Sequence, residues 1–380
     1  MAGSRREIDA LLRRAWTFVD GGRAEPAAEH FDQAIALAPA DASLRLERGV
    51  AMYKLGRFEA ALESFEQALE RSPEDLVALN NRAKVLGLLG RPAEALEAWD
   101  AAIARDGERA KMHLGRAEAL EALDRLEEAL ESARRGQALD PKAPEGDYWL
   151  GRVLWRLGRD EEALLQLDQA LTKRGKYFEA LRERARVQRR LSRLSQALQD
   201  LVLAQTVKQD ALDVNLEIAE LLLRMGRAHE AMGVAQRAMA LDQNSAEAWR
   251  LKGRAHLAQQ GEAHGHLCLG MGELLDGRHE EALAELDQAL ALDPRLGQAW
   301  SNKGVVLNRM QRYEDAAACY DKALQIDRAA ITVWHNLGTL LINKLGREDK
   351  GLACFREVVR LDPDRWFKLP EHIRSRIPAP

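Results

Sequence analysis

The chain of 380 residues has few of the residue types that build reactive centres or staple small folds. It holds three cysteines, Cys268, Cys319 and Cys354. They form no CxxC pair and no even set, which excludes a disulfide framework and a zinc-ribbon pattern and fits a reducing compartment. Aromatic residues make up only 5%. Ala, Leu, Arg and Glu dominate instead; these are strong helix formers, and an all-α fold follows. No segment approaches the roughly 20 apolar residues of a membrane helix, and Met1 to Arg14 alternates charges with leucines where a signal peptide has an apolar stretch. No membrane insertion and a cytoplasmic location are therefore expected. Net charge is also scarce: 56 basic residues against 60 acidic ones leave −4. That balance argues against a general nucleic-acid binder. Nucleophile elbow, P-loop and metalloprotease-helix motifs are all missing, so neither an enzyme nor a cofactor protein is expected.

What the chain does have is a 34-residue period, running without a slip from Ile8 to Ser245. With each block numbered 1 to 34, position 8 reads Ala15, Gly49, Ala83, Ala117, Gly151, Ala185 and Ala219, and position 20 is Ala in all seven blocks, from Ala27 to Ala231. Bulky residues such as Phe31, Phe65, Trp99, Leu167, Leu201 and Tyr320 recur at position 24, one turn beyond position 20 on the same helix face. Turns such as Leu55-Gly56-Arg57 and Leu157-Gly158-Arg159 suit a left-handed residue after a first helix. Asp-Pro or Ser-Pro pairs, for example Ser72-Pro73 and Asp140-Pro141, stop the second helix.

Small residues at 8 and 20, a large one at 24 and Pro near the block end resemble the tetratricopeptide repeat (TPR) signature. The resemblance implies a right-handed superhelical solenoid of helix-turn-helix repeats, with helix A at positions 1–14 and helix B at 18–31. A lead-in of residues 1–7 is followed by seven repeats over 8–245, a half repeat over 246–262, three repeats over 263–365 and a capping segment over 366–380. Repeat 331–365 carries one extra residue near Lys344-Leu345-Gly346. At the break two helix-A-like segments adjoin, and the second is expected to lack a normal helix-B contact with the first. Either a hinge between Gln259 and His266 or a continuous solenoid with one irregular helix satisfies this pattern. Trp249, Trp300 and Trp334, all at position 4, are read as packing residues.

In this family positions 2, 5, 6, 9, 12 and 13 of helix A face the concave groove. Carried onto this chain, they single out Tyr148, Trp149, Arg152, Trp155 and Arg156 in one repeat and Arg182, Arg186, Arg189 and Arg190 in the next. Between Lys173 and Arg193 nine residues are basic and two acidic, so an acidic peptide or surface is one expected ligand, held by bidentate guanidinium groups. The opposing reading is a solvated helix face neutralised by Glu145, Glu179, Glu183, Glu217, Glu220 and Glu247. Asn81, Asn302 and Asn336 stand at position 6, where asparagines of related arrays hydrogen-bond an extended peptide backbone. The family's carboxylate-clamp pattern for chaperone tails does not occur in order here. His256, His264, His266, His279 and Cys268 gather near the break, yet His264 and His266 lie on different sides of a helix, so no metal site is assigned. The expected function is a non-enzymatic scaffold holding an acidic or extended segment of another protein. A structural protein that self-associates through its ends or convex face is the alternative.

Overall fold

A computed structural model of the chain describes residues 2–379, and among these every regular element is helical. The chain divides into two compact units, residues 1–200 and 201–380. The first unit contains α1 (Ala2–Asp20), α2 (Ala24–Leu37), α3 (Ala42–Lys54), α4 (Phe58–Arg71), α5 (Leu76–Leu88) and α6 (Pro92–Arg105). It continues with α7 (Ala110–Ala122), α8 (Leu126–Leu139), α9 (Pro144–Arg156), α10 (Asp160–Lys173) and α11 (Phe178–Arg190), and α12 (Leu194–Val207) carries the division. The second unit holds α13 (Leu212–Arg224), α14 (Ala228–Leu241), α15 (Ala246–Ala258), α16 (Glu262–Leu275), α17 (His279–Leu292) and α18 (Gly297–Arg309). After these come α19 (Tyr313–Ile326), α20 (Ile331–Asn343), α21 (Glu348–Leu361), a 3-10 helix (Pro363–Lys368) and α22 (Glu371–Arg374).

Local chemistry sets the helix ends. The Asp75 carboxylate accepts from the Val77 and Ala78 amides at 2.9 and 3.0 Å, opening α5. At the other end of helix A, Gly56 takes φ +70° and the Arg57 amide donates to Met52 O at 2.9 Å, a Schellman closure. This closure ends helix A at position 13 and starts helix B at position 17, so both boundaries fall one residue before the expected ones. Asp124, Ser192, Gln260 and Gln311 occupy the same left-handed position without being glycine. The extra residue near Gly346 is absorbed in its turn, where the Arg347 amide reaches Leu341 O at 2.8 Å.

Small positions receive large side chains within each repeat. A Cβ on Gly49 would stand 2.5 Å from the Phe65 ring, one on Gly151 2.6 Å from Leu167, and one on Gly304 2.6 Å from the Tyr320 ring. Glycine is required at these close approaches. Trp99 packs against Gly115 of the next helix A. Arginines at position 7 staple repeats of the first unit, with Arg82 meeting Glu66 at 3.4 Å. Arg48 meets Asp32 at 2.9 Å and Ser64 at 2.6 Å, Arg116 meets Asp100 at 2.6 Å and Ser132 at 3.0 Å, and Arg184 meets Asp168 and Asp200, both at 2.6 Å.

Position 4 latches the inter-repeat turn. The Trp249, Trp300 and Trp334 indoles donate to the carbonyls of Gln243, Pro294 and Arg328 at 3.2, 2.9 and 2.9 Å. Arg45 and His113 make the same contact to Pro39 and Gly107. The tryptophans are thus packing and latching residues.

The register break lies inside the second unit, and here the expectation needs correction. α16 does pack on α15 as a helix B would. A Cβ on Gly253 would be 2.9 Å from Gly265 O, and one on Gly272 3.0 Å from Ala246 O. On another face α16 presents Gly270 to Leu286 of α17, as a helix A does. Glycines on two faces of one helix allow both contacts, and a reading that assigns each helix one role misses this. α1 starts at Ala2, so the expected lead-in is helical from residue 2, and Met1 lies outside the described residues. At the far end Leu369, Ile373 and Ile377 cover Leu352, Phe355, Val358 and Val359 of α21, with Pro370 separating the two short terminal helices. Phe367 stays 68% exposed and takes no part in this cluster.

Candidate functional site

Two inner surfaces carry the residues expected to bind a partner. In the first unit, α9 and α11 bring the arginines together, but carboxylates of the chain already engage them. Arg152 donates to Glu121 Oε2 at 3.1 Å and to the Tyr148 hydroxyl at 3.2 Å. Arg156 donates to Glu121 Oε1 at 2.6 Å and to Asp124 at 2.9 Å. Arg186 holds Glu183 at 2.7 Å, and Arg190 holds Asp160 at 2.7 Å and Trp155 O at 2.6 Å. Three of the guanidinium groups lie over aromatic rings: Arg152 over Trp149 at 5.2 Å, Arg190 over Trp155 at 5.2 Å and Arg182 over Phe178 at 5.6 Å. Arg189 is half-buried on the same helix.

Glu121 and Glu183 are buried beneath this tier. Burial pushes the Glu183 carboxyl above its usual range, against the pull of Arg186 and Arg152. Tyr148 is buried as well, and burial raises its phenol. The tier is thus an ion-pair network that rigidifies the stack, with its charge largely met from inside. Of the acids named from the sequence, Glu183 engages Arg186, Glu145 engages Arg174 and Glu247 engages Arg250. Glu121, Asp124 and Asp160, contributed by the preceding repeat, were missed. Their signal is a spacing of 30 to 35 residues between acid and arginine, about one repeat.

In the second unit a cavity of about 660 Å³ opens along the A-type helices. Gln298, Ser301 and Asn302 of α18, Thr332 of α20, His264 of α16 and Asp327 are among its polar lining, and Trp249 of α15 and Met271 of α16 are part of its apolar lining. The doubled A-type helix at the break is what adds both α15 and α16 to this wall. Among the described residues, the Gln298, Ser301, Asn302 and Thr332 side chains make no hydrogen bond within the chain. Ser301 and Asn302 are half-buried and Gln298 and Thr332 exposed. Such side chains offer both donors and acceptors to an incoming backbone. Asn336 is half-buried further along α20 and does not line the cavity, and Asn81 is half-buried on α5 in the first unit.

The histidines near the break do not converge. His256 and His264 rings lie 5.8 Å apart, His266 bonds Glu285 at 2.7 Å, and Cys268 is buried. Among the described residues no three potential ligands form a metal site, and no helix is long and apolar enough to cross a membrane.

Stacked helix pairs with small-into-large packing and turn-latched repeats define an all-α solenoid of helix-turn-helix repeats. Profiles described as tetratricopeptide repeat match residues 22–83, 80–144, 132–175, 148–211, 297–329 and 331–365. The chain belongs to the TPR family. No curated protein sequence matches it. Among solved structures it is similar to a thermophilic TPR protein of Thermus thermophilus, at 29% identity over 48% of this chain and 100% of that one, with a TM-score of 0.44. It is also similar to PilF of Pseudomonas aeruginosa, at 20% identity over 55% and 94% of the two chains and a TM-score of 0.47. PilW, a type IV pilus biogenesis factor, is 20% identical over 52% and 92%, with a TM-score of 0.46. TPR proteins generally mediate protein–protein interaction or assembly, and the fold is typically a non-enzymatic scaffold.

Proposed function

We propose that this chain is an interaction scaffold that holds an extended segment of a partner protein in the cavity of its second unit. The observation that carries this reading is the set of four polar side chains on α18 and α20 left without internal partners beside an apolar wall. Two of them, Ser301 and Asn302, are half-buried, where a folded chain more often pairs its polar groups. Asn302 is the central contact: its amide both donates to a peptide carbonyl and accepts from a peptide N–H. Trp249 and Met271 take an apolar side chain of the segment. Backbone gripping of this kind tolerates many sequences, with one apolar residue setting register.

The test is selection of binders from a random dodecapeptide library, followed by affinities for the wild type and for Asn302→Ala. Loss of one hydrogen-bonding side chain contributes about 1 to 1.5 kcal/mol, a weakening of about five- to tenfold. Selected peptides that bind Asn302→Ala as tightly as the wild type, or a library that yields no binders, would refute the reading.

A further inference from the structure

Helices B carry exposed acids along most of the chain: α2, α4, α6, α8 and α10, and again α17, α19 and α21, each expose at least two carboxylates. α12 and α14 break that pattern. The one charged side chain of α12 is Asp200, which is buried and held by Arg184 at 2.6 Å. Its exposed face carries Val202, Leu203 and Val207 instead. α14 exposes Leu241 beside a cavity of about 490 Å³ that it shares with the last turn of α12. Among the described residues no acid lines this cavity, and its one cation, Arg237, makes no ion pair or hydrogen bond within the chain. Gly233 stands one turn before Arg237 on the same side of α14, and a Cβ there meets nothing within 4 Å. Glycine inside a helix is unfavourable, and neither a left-handed φ nor a close neighbour within the chain requires it at this place. A bare backbone in the middle of an exposed helix face lets another helix come close.

We propose that α12 and α14 dock on α12 and α14 of a second copy of this chain, with the two α14 helices crossing antiparallel at Gly233. The helical period picks out this occupant. Glu230 lies three residues before Gly233 and Arg237 four after it, so at about 100° and about 1.5 Å per residue both fall on one flank of Gly233, at similar distances in opposite directions. A two-fold axis through the crossing reverses direction along the helix and keeps the flank, so Arg237 of each copy comes opposite Glu230 of the other. Glu230 is exposed and accepts within the chain from Arg227 at 2.7 Å, which leaves its outer lone pairs for a second guanidinium. The same operation sets His229 against Gln236 and lays the uncharged face of α12 on its own copy, where Val202 and Leu203 bury apolar surface. On the acidic helices B a second copy would meet carboxylate with carboxylate, and a basic partner would favour those helices over this face. A contact two helices wide is at the small end of specific interfaces, so the dimer is a weak one, with a Kd of about 10 to 100 µM. This face takes no part in the α18 cavity.

Sedimentation equilibrium of the full chain from about 1 to 500 µM reads the association directly. A monomer–dimer equilibrium is expected. Arg237→Glu and Glu230→Arg should each weaken it at least about tenfold, because each sets two like-charged pairs across the axis. The two substitutions together exchange the charges and should restore the dimer to within about threefold of the wild type. Val202→Glu should weaken it at least about tenfold. Gly233→Gln should do the same while raising the unfolding midpoint, since glutamine is the better helix former, so loss of the dimer there cannot be loss of the fold. Asn302→Ala should leave association unchanged, which separates this contact from the peptide cavity. A chain that stays monomeric throughout would leave the face to a different protein and overturn the proposal. So would a dimer indifferent to Arg237→Glu and Val202→Glu, or a double charge exchange that restores nothing.

Discussion

The double role of α16 makes a sharp prediction through two glycines. Replacing a helical glycine by alanine in open space gains about 1 kcal/mol of helix propensity. Gly233 of α14 is such a place, because a Cβ there meets nothing within 4 Å. Gly253 of α15 is the opposite case. Its Cβ would lie 2.9 Å from the Gly265 carbonyl oxygen and 2.9 Å from Leu269 Cγ. Backbone cannot give way as a side-chain tip can, and overpacking of this kind costs about 1 to 3 kcal/mol. Gly253→Ala should therefore lose about 1 kcal/mol net, Gly233→Ala should gain about 1 kcal/mol, and the two should differ by about 2 kcal/mol. Hydrogen exchange read by mass spectrometry resolves the effect by segment. Amides of α15 and α16 should exchange several-fold faster in Gly253→Ala, and those of α14 several-fold slower in Gly233→Ala. If both substitutions slow exchange alike, α15 and α16 are not in close contact and the account of the register break is wrong.

Three further outcomes follow from single sites. Ser192 and Gln311 sit at φ +59° and +62°, so Ser192→Gly and Gln311→Gly should each raise the urea midpoint by about 0.5 to 1 kcal/mol equivalent, whereas Gly56→Ala should lower it; a fall in both glycine variants would contradict the left-handed assignment. Glu121→Ala leaves Arg152 and Arg156 without their buried partner and should cost about 1 to 3 kcal/mol, discounted because both guanidinium groups are about a third exposed; a neutral result would show that the tier does not rigidify the stack. Burial pushes the Cys354 thiol up to about 11 and raises Cys268 and Cys319 as well. Because the thiolate is the nucleophile, a thiol reagent at pH 8 should label none of the three quickly in the native protein, label faster as pH rises, and label all three in urea; rapid native labelling would refute their burial.

The repeat itself was legible because it is written redundantly. Gly49 with Phe65 and Gly304 with Tyr320 are separate instances of one rule, so each block confirms the next. Apart from the start of α1, which lies at Ala2 and not at Ile8, the repeat helices began and ended within one residue of expectation outside the 331–365 repeat, since Gly56 and its counterparts mark the left-handed turn directly. α16 was harder: Gly270 gives it the sequence of a helix A, and Gly265 and Gly272 take on meaning only once α15 lies against them. The arginines misled for a related reason. Their charge is visible in one repeat, while Glu121, Asp124 and Asp160 come from the repeat before. Asn302 was found from its repeat position, but Trp249 and Met271 join its cavity through the register break.

The most direct measurement is site-specific photo-crosslinking in the native cell, with a benzophenone amino acid placed at Gln298, an exposed cavity residue, or at Gln288, exposed on α17. Joining of one continuous stretch of a partner protein from position 298, and not from 288, is the predicted result. No product at 298, or the same products at both positions, would contradict a partner segment held in the cavity.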